Sequence, residues 1–275
     1  MLGNVFSPFY AAARALGPRD PRSFSTMHVA ARIDGDDLWS LTERPKEHVA
    51  SSPDRLAIGP STMRWDGNDL EVRFLEREAP FGRRLSGTVK LHAPALHGAP
   101  VSLAESRHTW WPIAPFARAT VELERPRRLR FEGSAYADAN AGTEPLERGF
   151  SSWSWSRVSS DDGAVLTYDV VRRDGSREAF SSAFDRENRS IAPPALETIR
   201  LDRTTWGLRR ETRLPRGARV LAVRPLLDAP FYARTQLELD VAGERRHAVT
   251  EALSLDRFRA GWVKALLPFR MRRAR

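Results

Sequence analysis

"VLTYDVVRRDGSREAFSSAF", residues 165 to 184, has the pattern of two strands joined by a turn. Leu166, Tyr168 and Val170 alternate with more polar neighbours, the period of a strand with one face on a core. Asp174-Gly175 then supplies the positive-φ residues that a tight hairpin needs. The same punctuation returns at Asp66-Gly67, Asp162-Gly163 and Ala242-Gly243, each between strand-like runs. Roughly a dozen and a half short strands at this spacing predict an all-β sandwich or barrel architecture. No period of about 20 to 50 residues repeats, which disfavours a solenoid or propeller.

The division along the chain follows from the same pattern. Some 150 residues precede "SSWSWSR" (151 to 157) and about 120 follow, so two β units are expected, 1–150 and 151–254. Residues 255–275 differ: Leu255, Phe258, Trp262 and Leu266 recur at helical spacing, Arg257 and Lys264 face away, and Pro268 ends the turn. This predicts a short C-terminal amphipathic helix followed by a basic tail of Arg270, Arg272, Arg273 and Arg275. Two readings of it stand: a helix packed against a barrel wall, and an interfacial helix whose tail meets lipid headgroups.

Composition narrows the function classes. The 41% hydrophobic content of 275 residues can supply a sizeable core. The absence of Cys excludes disulfides, thiolate nucleophiles and Cys-ligated metal. A net charge of +9 suits nucleic acid or an anionic membrane surface, but the arginines are dispersed and no recognition module appears, so nucleic acid is not expected as a partner. Without a basic leader ahead of an apolar run, or a long apolar stretch, a cytoplasmic protein with no transmembrane span is expected.

The common site signatures are missing: no GxGxxG, P-loop, GxSxG or HExxH. His28, His48, His92, His97, His108 and His247 lack metal-ligand spacing, and "DANAGTEPLE" misses the twelve-residue calcium loop, so a metal site is not expected. What remains is acid chemistry among aromatics in "RHTWWPIAP" (107 to 115) and "YADANAGTEPLERGFSSWSWSR" (136 to 157). On strands, Glu132, Ser134, Tyr136 and Asp138 share a face, as do Trp153, Trp155 and Arg157, and His108 with Trp110. The plainer reading of each is a half-solvated strand, a Trp core, a satisfied histidine, and Glu144 or Glu147 paired with Arg148.

Those stretches, with "VFSPFYAAAR" (5 to 14), "LAIGPSTMRWDG" (56 to 67), "YDVVRRDGSR" (168 to 177) and "LDRFRAGWVKALLPFRMRR" (255 to 273), resemble the carotenoid 1,2-hydratase family, also called hydroxyneurosporene synthases. The resemblance implies two lipocalin-like β-barrel or sandwich units, and a cofactor-independent hydro-lyase. Its reaction adds water to the terminal 1,2 double bond of an acyclic carotenoid such as neurosporene or lycopene. It implies a place in spheroidene and spirilloxanthin synthesis, peripherally on the inner photosynthetic membrane, with the basic tail as the contact. By the same resemblance Asp138 matches the proton donor, beside His108, Trp110 and Tyr136. Trp111, Trp153 and Trp155 are expected against substrate, with Glu144, Glu147 and Arg148 in support. The match departs at Thr143, where the family pattern carries Asp, and at the N-terminus, where family members have a further segment ahead of "FSP".

Alkene protonation constrains such a donor physically. The acid must arrive neutral and leave as a carboxylate facing a carbocation, so its pKa must be raised by burial or by a nearby carboxylate. Glu132, Glu144 and Glu147 are the expected neighbours, and indole faces would stabilise the cation. A non-catalytic lipocalin-like binder of a long isoprenoid, or a pericyclase folding a polyene, are the alternatives.

Overall fold

Alternation and turn chemistry build the hairpins announced by the sequence. In a computed structural model that describes residues 1–103 and 107–274, residues 163–172 pair antiparallel with 177–185. The turn differs in detail: Gly175 alone takes positive φ, +86°, while the Asp174 carboxylate accepts from the Ser176 amide (2.9 Å) and hydroxyl (2.6 Å). A side-chain-capped loop replaces the two-residue turn. At Ala242-Gly243 both residues do take positive φ, 54° and 87°, and Val241 faces Glu244 across a type I′ turn.

Two compact units result, each discontinuous in sequence: residues 1–92, 118–133 and 264–275 form one, residues 93–117 and 134–263 the other. The first holds the hairpin of β1 (Ser25–Ile33) and β2 (Asp36–Arg44). It also holds a meander of β3 (Val49–Ser51), β4 (Arg55–Ile58), β5 (Ser61–Asp66), β6 (Asp69–Arg77) and β7 (Arg84–His92). After the short β8 (Val101–Leu103), the long strands β9 (His108–Arg125) and β10 (Leu129–Gly142) contribute residues to both units. Leu38, Phe74, Leu85 and Leu123 form the buried cluster of the first unit, each such side chain contributing about 1.5–3 kcal/mol.

The second unit is built on one seven-stranded sheet. Its strands are β11 (Phe150–Ser160), β12 (Gly163–Arg172), β13 (Arg177–Asp185), β14 (Ser190–Ile191), β17 (Arg219–Asp228), β18 (Tyr232–Val241) and β19 (Glu244–Ser254). Their order, β14-β13-β12-β11-β19-β18-β17, is linear, so the sheet is open and does not close into a barrel. A separate hairpin, β15 (Leu196–Leu201) with β16 (Arg210–Pro215), covers one face: the Arg213 carbonyl accepts from the Ser156 hydroxyl, and Val158, Leu214, Leu237 and Leu239 are buried together. Alternation along β11 therefore sends its serines toward that hairpin and its tryptophans to the opposite face.

The C-terminal helix forms, but not as one stripe. Helix α1 (Pro8–Ala15) and the single turn α2 (Leu146–Gly149) precede α3 (Leu255–Phe258) and α4 (Gly261–Leu266), separated by Arg259 and Ala260. The interruption shifts the helical phase, since each residue turns the chain by about 100°. Leu255, Phe258 and Val263 are buried, whereas Trp262 and Leu266 are exposed. Trp262 instead stacks on Trp206, with ring centroids 6.1 Å apart.

Nor is the basic tail a free arm. Arg270 lies 4.6 Å over the Trp39 ring, and its carbonyl accepts from Trp39 Nε1 at 2.8 Å. Arg272–Arg273 forms β20, parallel to β2, and Arg273 sits 3.4 Å from the buried carboxylate of Glu43. Arg275 lies outside the described residues.

Candidate active site

Register assembles the site from strands distant in sequence. Tyr168 on β12 faces Trp155 on β11, Trp155 faces Glu251 on β19, and Glu251 faces Arg234 on β18. Directly opposed residues share a sheet face, so one row across four strands presents an aromatic pair, a carboxylate and a guanidinium. Trp153 and Arg157 flank Trp155 on that face, two residues away along β11.

Against this row stand side chains of β9 and β10 from the same unit. Trp110, with no exposed surface, shares its Nε1 proton between Asp138 Oδ2 at 3.0 Å and the Tyr136 hydroxyl at 3.2 Å. Asn140 Nδ2 approaches the same Asp138 oxygen at 3.3 Å. Ring centroids lie 5.1 Å apart for Trp110 and Tyr168, 5.1 Å for Tyr136 and Trp155, and 5.8 Å for Trp153 and Tyr168. The result is a carboxyl group held by Trp110 and Tyr136, whose rings pack on Tyr168 and Trp155, with Trp153 also against Tyr168. Beneath Tyr136, the buried Arg157 donates to the Pro115 carbonyl (2.9 Å) and the Ser134 hydroxyl (3.0 Å), its guanidinium 6.0 Å from the tyrosine ring. Burial pulls the Arg157 pKa down to about 10, which still leaves it cationic at neutral pH.

Asp138 keeps solvent-exposed surface while protein atoms crowd around its carboxyl group. Loss of hydration pushes its carboxyl pKa up, and the negative charge of Glu251 pushes the same way. Donors from Trp110, Tyr136 and Asn140 pull only part of the way back. The charged neighbour is thus Glu251, not Glu132, Glu144 or Glu147. Glu132 accepts from Thr120 in the other unit, and Glu144 and Glu147 belong to the turn around α2. Burial, with the Asp138 charge next, likewise drives the Tyr136 phenol far above its ordinary value, so it stays a neutral hydroxyl.

His108 shares the face of Trp110 but contacts a different group. Its Nε2 is 3.5 Å from Glu144 Oε1, its ring is 4.7 Å from Phe150, and Gly142 and Gly149 let the backbone close around it, since a Cβ on either would stand 2.5 or 3.1 Å from the imidazole. Burial lowers the His108 pKa despite Glu144, so the ring is neutral near pH 7. Trp111 points away from Asp138: its Nε1 donates to the His97 carbonyl at 2.6 Å. Arg148 is exposed, and Arg173 Nε holds the Glu147 carbonyl at 2.9 Å. Thr143 is pinned to the Arg107 carbonyl through its amide (3.0 Å), also apart from Asp138's partners.

Sequence reasoning missed Tyr168, Glu251, Arg234 and Tyr232. Alternation in "HAVTEALS" places Glu251 on a sheet face, but only its pairing with Trp155 brings it to Asp138. Tyr232 lies beside Glu251 and Arg234, whose Nε donates to Glu251 at 2.9 Å and to the Tyr232 hydroxyl at 3.2 Å. No group of three or more potential metal ligands occurs among the described residues. Chemically, the arrangement offers a carboxylic acid biased toward its protonated form and a wall of π faces for a developing cation.

Comparison with known proteins places the chain in a family. The chain is 40% identical over 275 residues to the acyclic carotenoid 1,2-hydratase of Thiocapsa roseopersicina, covering 99% of this chain and 68% of that protein. It is 37% identical to the enzyme of the same description from Cereibacter sphaeroides, covering 99% and 96% of the two chains. Among solved structures, an AttH protein of Nitrosomonas europaea shares the lipocalin-like fold at 11% identity, with a TM-score of 0.51 over 83% of this chain and 85% of that one. The carotenoid hydratase CrtC family model matches residues 1–275, the whole chain. With that match and relatives at 37–40% identity, the chain belongs to the CrtC carotenoid hydratase family.

Proposed function

We propose that the protein adds water across the terminal 1,2 double bond of an acyclic carotenoid, neurosporene or lycopene, with Asp138 as the acid. The observation that carries the reading is one carboxyl group with a raised pKa held by Trp110 and Tyr136, whose rings pack in turn on Tyr168 and Trp155. The Asp138 proton passes to C2 of the alkene, leaving a tertiary cation at C1 and a carboxylate beside it. Indole and phenol faces stabilise that cation, each by about 2 kcal/mol when desolvated. Water attacks C1 and its released proton returns to Asp138, so the balance is alkene plus water giving tertiary alcohol, with no further co-reactant. Tyr136, held at the Trp110 N–H, is the group we assign to position the water.

Such substrates dissolve in the bilayer, and we place the protein at the cytoplasmic face of the membrane as a peripheral enzyme. A net charge of +9 supports this, and no helix of the described residues is long and apolar enough to cross a membrane. The test is pigment analysis of a lycopene-producing host expressing the chain. A product heavier by one water with a hydroxyl at C1 is expected; an isomer of unchanged mass, or unchanged pigment bound to the protein, contradicts hydration.

A further inference from the structure

A cavity of about 540 Å³ in the first unit lies apart from Asp138, and its lining includes Thr42, Arg44, Arg77, Arg84, Arg272 and Arg273 together with Glu76, whose carboxylate is taken up by Arg44 and the Ser61 hydroxyl. Five arginines around one cavity cost free energy unless something answers their charge. Two are answered within the protein: Arg44 Nη2 reaches Glu76 at 2.7 Å, and Arg273 sits 3.4 Å from Glu43. Arg77 finds only the Gly82 carbonyl, at 3.0 Å, and neither Arg84 nor Arg272 has a carboxylate partner among the described residues. Three uncompensated cations thus surround a space no wider than about one Debye length, roughly 8–10 Å, where salt screens them poorly.

A second observation points the same way. Arg44 and Thr42 are each only 6% exposed, and the Arg44 Nη1 and Thr42 hydroxyl are buried without a hydrogen-bond partner. Buried donors left unpaired are costly, and here two line the same cavity as the surplus arginines. Their positions are fixed by the fold rather than by chance contact. Arg44 and Thr42 lie on one face of β2, the Arg44 side chain packs so close to Gly59 that a Cβ there would stand 2.3 Å from Nε, and β20 brings Arg272 alongside Thr42.

We propose that this cavity is a binding site for a phosphate-type oxyanion, with the Arg44 Nη1 and Thr42 hydroxyl as its inner donors and Arg77, Arg84 and Arg272 as its outer forks. Arginine matches phosphate geometry bidentately, and the hydroxyl supplies a directional contact. The site is independent of the hydration chemistry. A free phosphate ester and an anionic lipid headgroup present the same oxygens, and the experiment separates them.

Inorganic phosphate and pyrophosphate are titrated into the full chain at physiological salt, and the chain is sedimented with phosphatidylglycerol/phosphatidylcholine vesicles beside phosphatidylcholine alone. R84Q/R272Q and R77Q/R84Q are compared with R209Q/R216Q, which removes the same charge from exposed positions elsewhere, and circular dichroism checks folding. Saturable phosphate binding weakened about tenfold or more in both cavity variants, with the control unchanged, supports the site. A parallel loss of vesicle retention assigns the ligand as a lipid headgroup; vesicle retention untouched by the cavity variants assigns a free ester. Absence of saturable binding to any probe, or an equal loss in R209Q/R216Q, overturns the proposal in favour of bulk charge.

Discussion

At the scale of single residues, Asp138 is poised between groups that push its pKa in opposite directions. Glu251 raises it through its charge and Trp110 lowers it through its N–H, so substitutions at the two positions have opposite signs. Glu251→Gln should move the alkaline fall of the hydration rate to lower pH, and Trp110→Phe should move it to higher pH while keeping an aromatic face. Shifts of the same sign in the two pH–rate profiles would show that neither acts through Asp138. Linkage gives a second consequence. A carboxyl whose folded pKa lies above its unfolded value contributes stability at low pH that is lost as pH rises through the folded pKa. Asp138→Asn should therefore melt higher than wild type at alkaline pH, with the gain vanishing below the ordinary carboxylate value of 3.8; calorimetry across pH reads this directly.

At the scale of elements, strand patterning and turn dipeptides were legible in the sequence, while contacts that need a second strand were not. Leu166, Tyr168 and Val170 announced β12, and Trp153 with Trp155 announced one face of β11. Nothing local joins Glu251 to Trp155 or Trp110 to Asp138, because those pairs depend on register between segments 28 to 96 residues apart. The helical period at 255–267 misled for a related reason. A stripe count assumes one unbroken helix, and Arg259 and Ala260 interrupt it, which exchanges Trp262 for Val263 in the core. Buried polar joints between strands also escape local pattern. Glu76 on β6, wholly buried, accepts from Arg44 on β2 and from the Ser61 hydroxyl (2.5 Å) at the start of β5. Removing one partner of such a pair strands the other charge, so Glu76→Ala should cost about 3–5 kcal/mol in urea unfolding. A loss under about 1 kcal/mol would mean that the joint is solvated in the folded protein.

At the scale of the whole molecule, a surplus of positive charge coexists with a C-terminus folded into the first unit. Trp39, Glu43 and β2 hold residues 270–274, so limited trypsin digestion should spare Arg270 and Arg272 while cutting exposed loops first. Early release of the last residues would restore the picture of a free basic arm. The charge then sits on a structured surface, and the proposed chemistry belongs to the second unit, where the sheet face of β12, β11, β19 and β18 meets β9 and β10. The measurement that tests this most directly is hydration of lycopene by purified wild type and Asp138→Asn, with melting temperature recorded on the same preparations. General acids contribute about 10²–10⁴-fold, so the variant should lose at least about 10²-fold in turnover while melting no lower than wild type. Turnover within a few-fold of wild type in a folded Asp138→Asn protein would contradict the assignment of the acid and, with it, the mechanism.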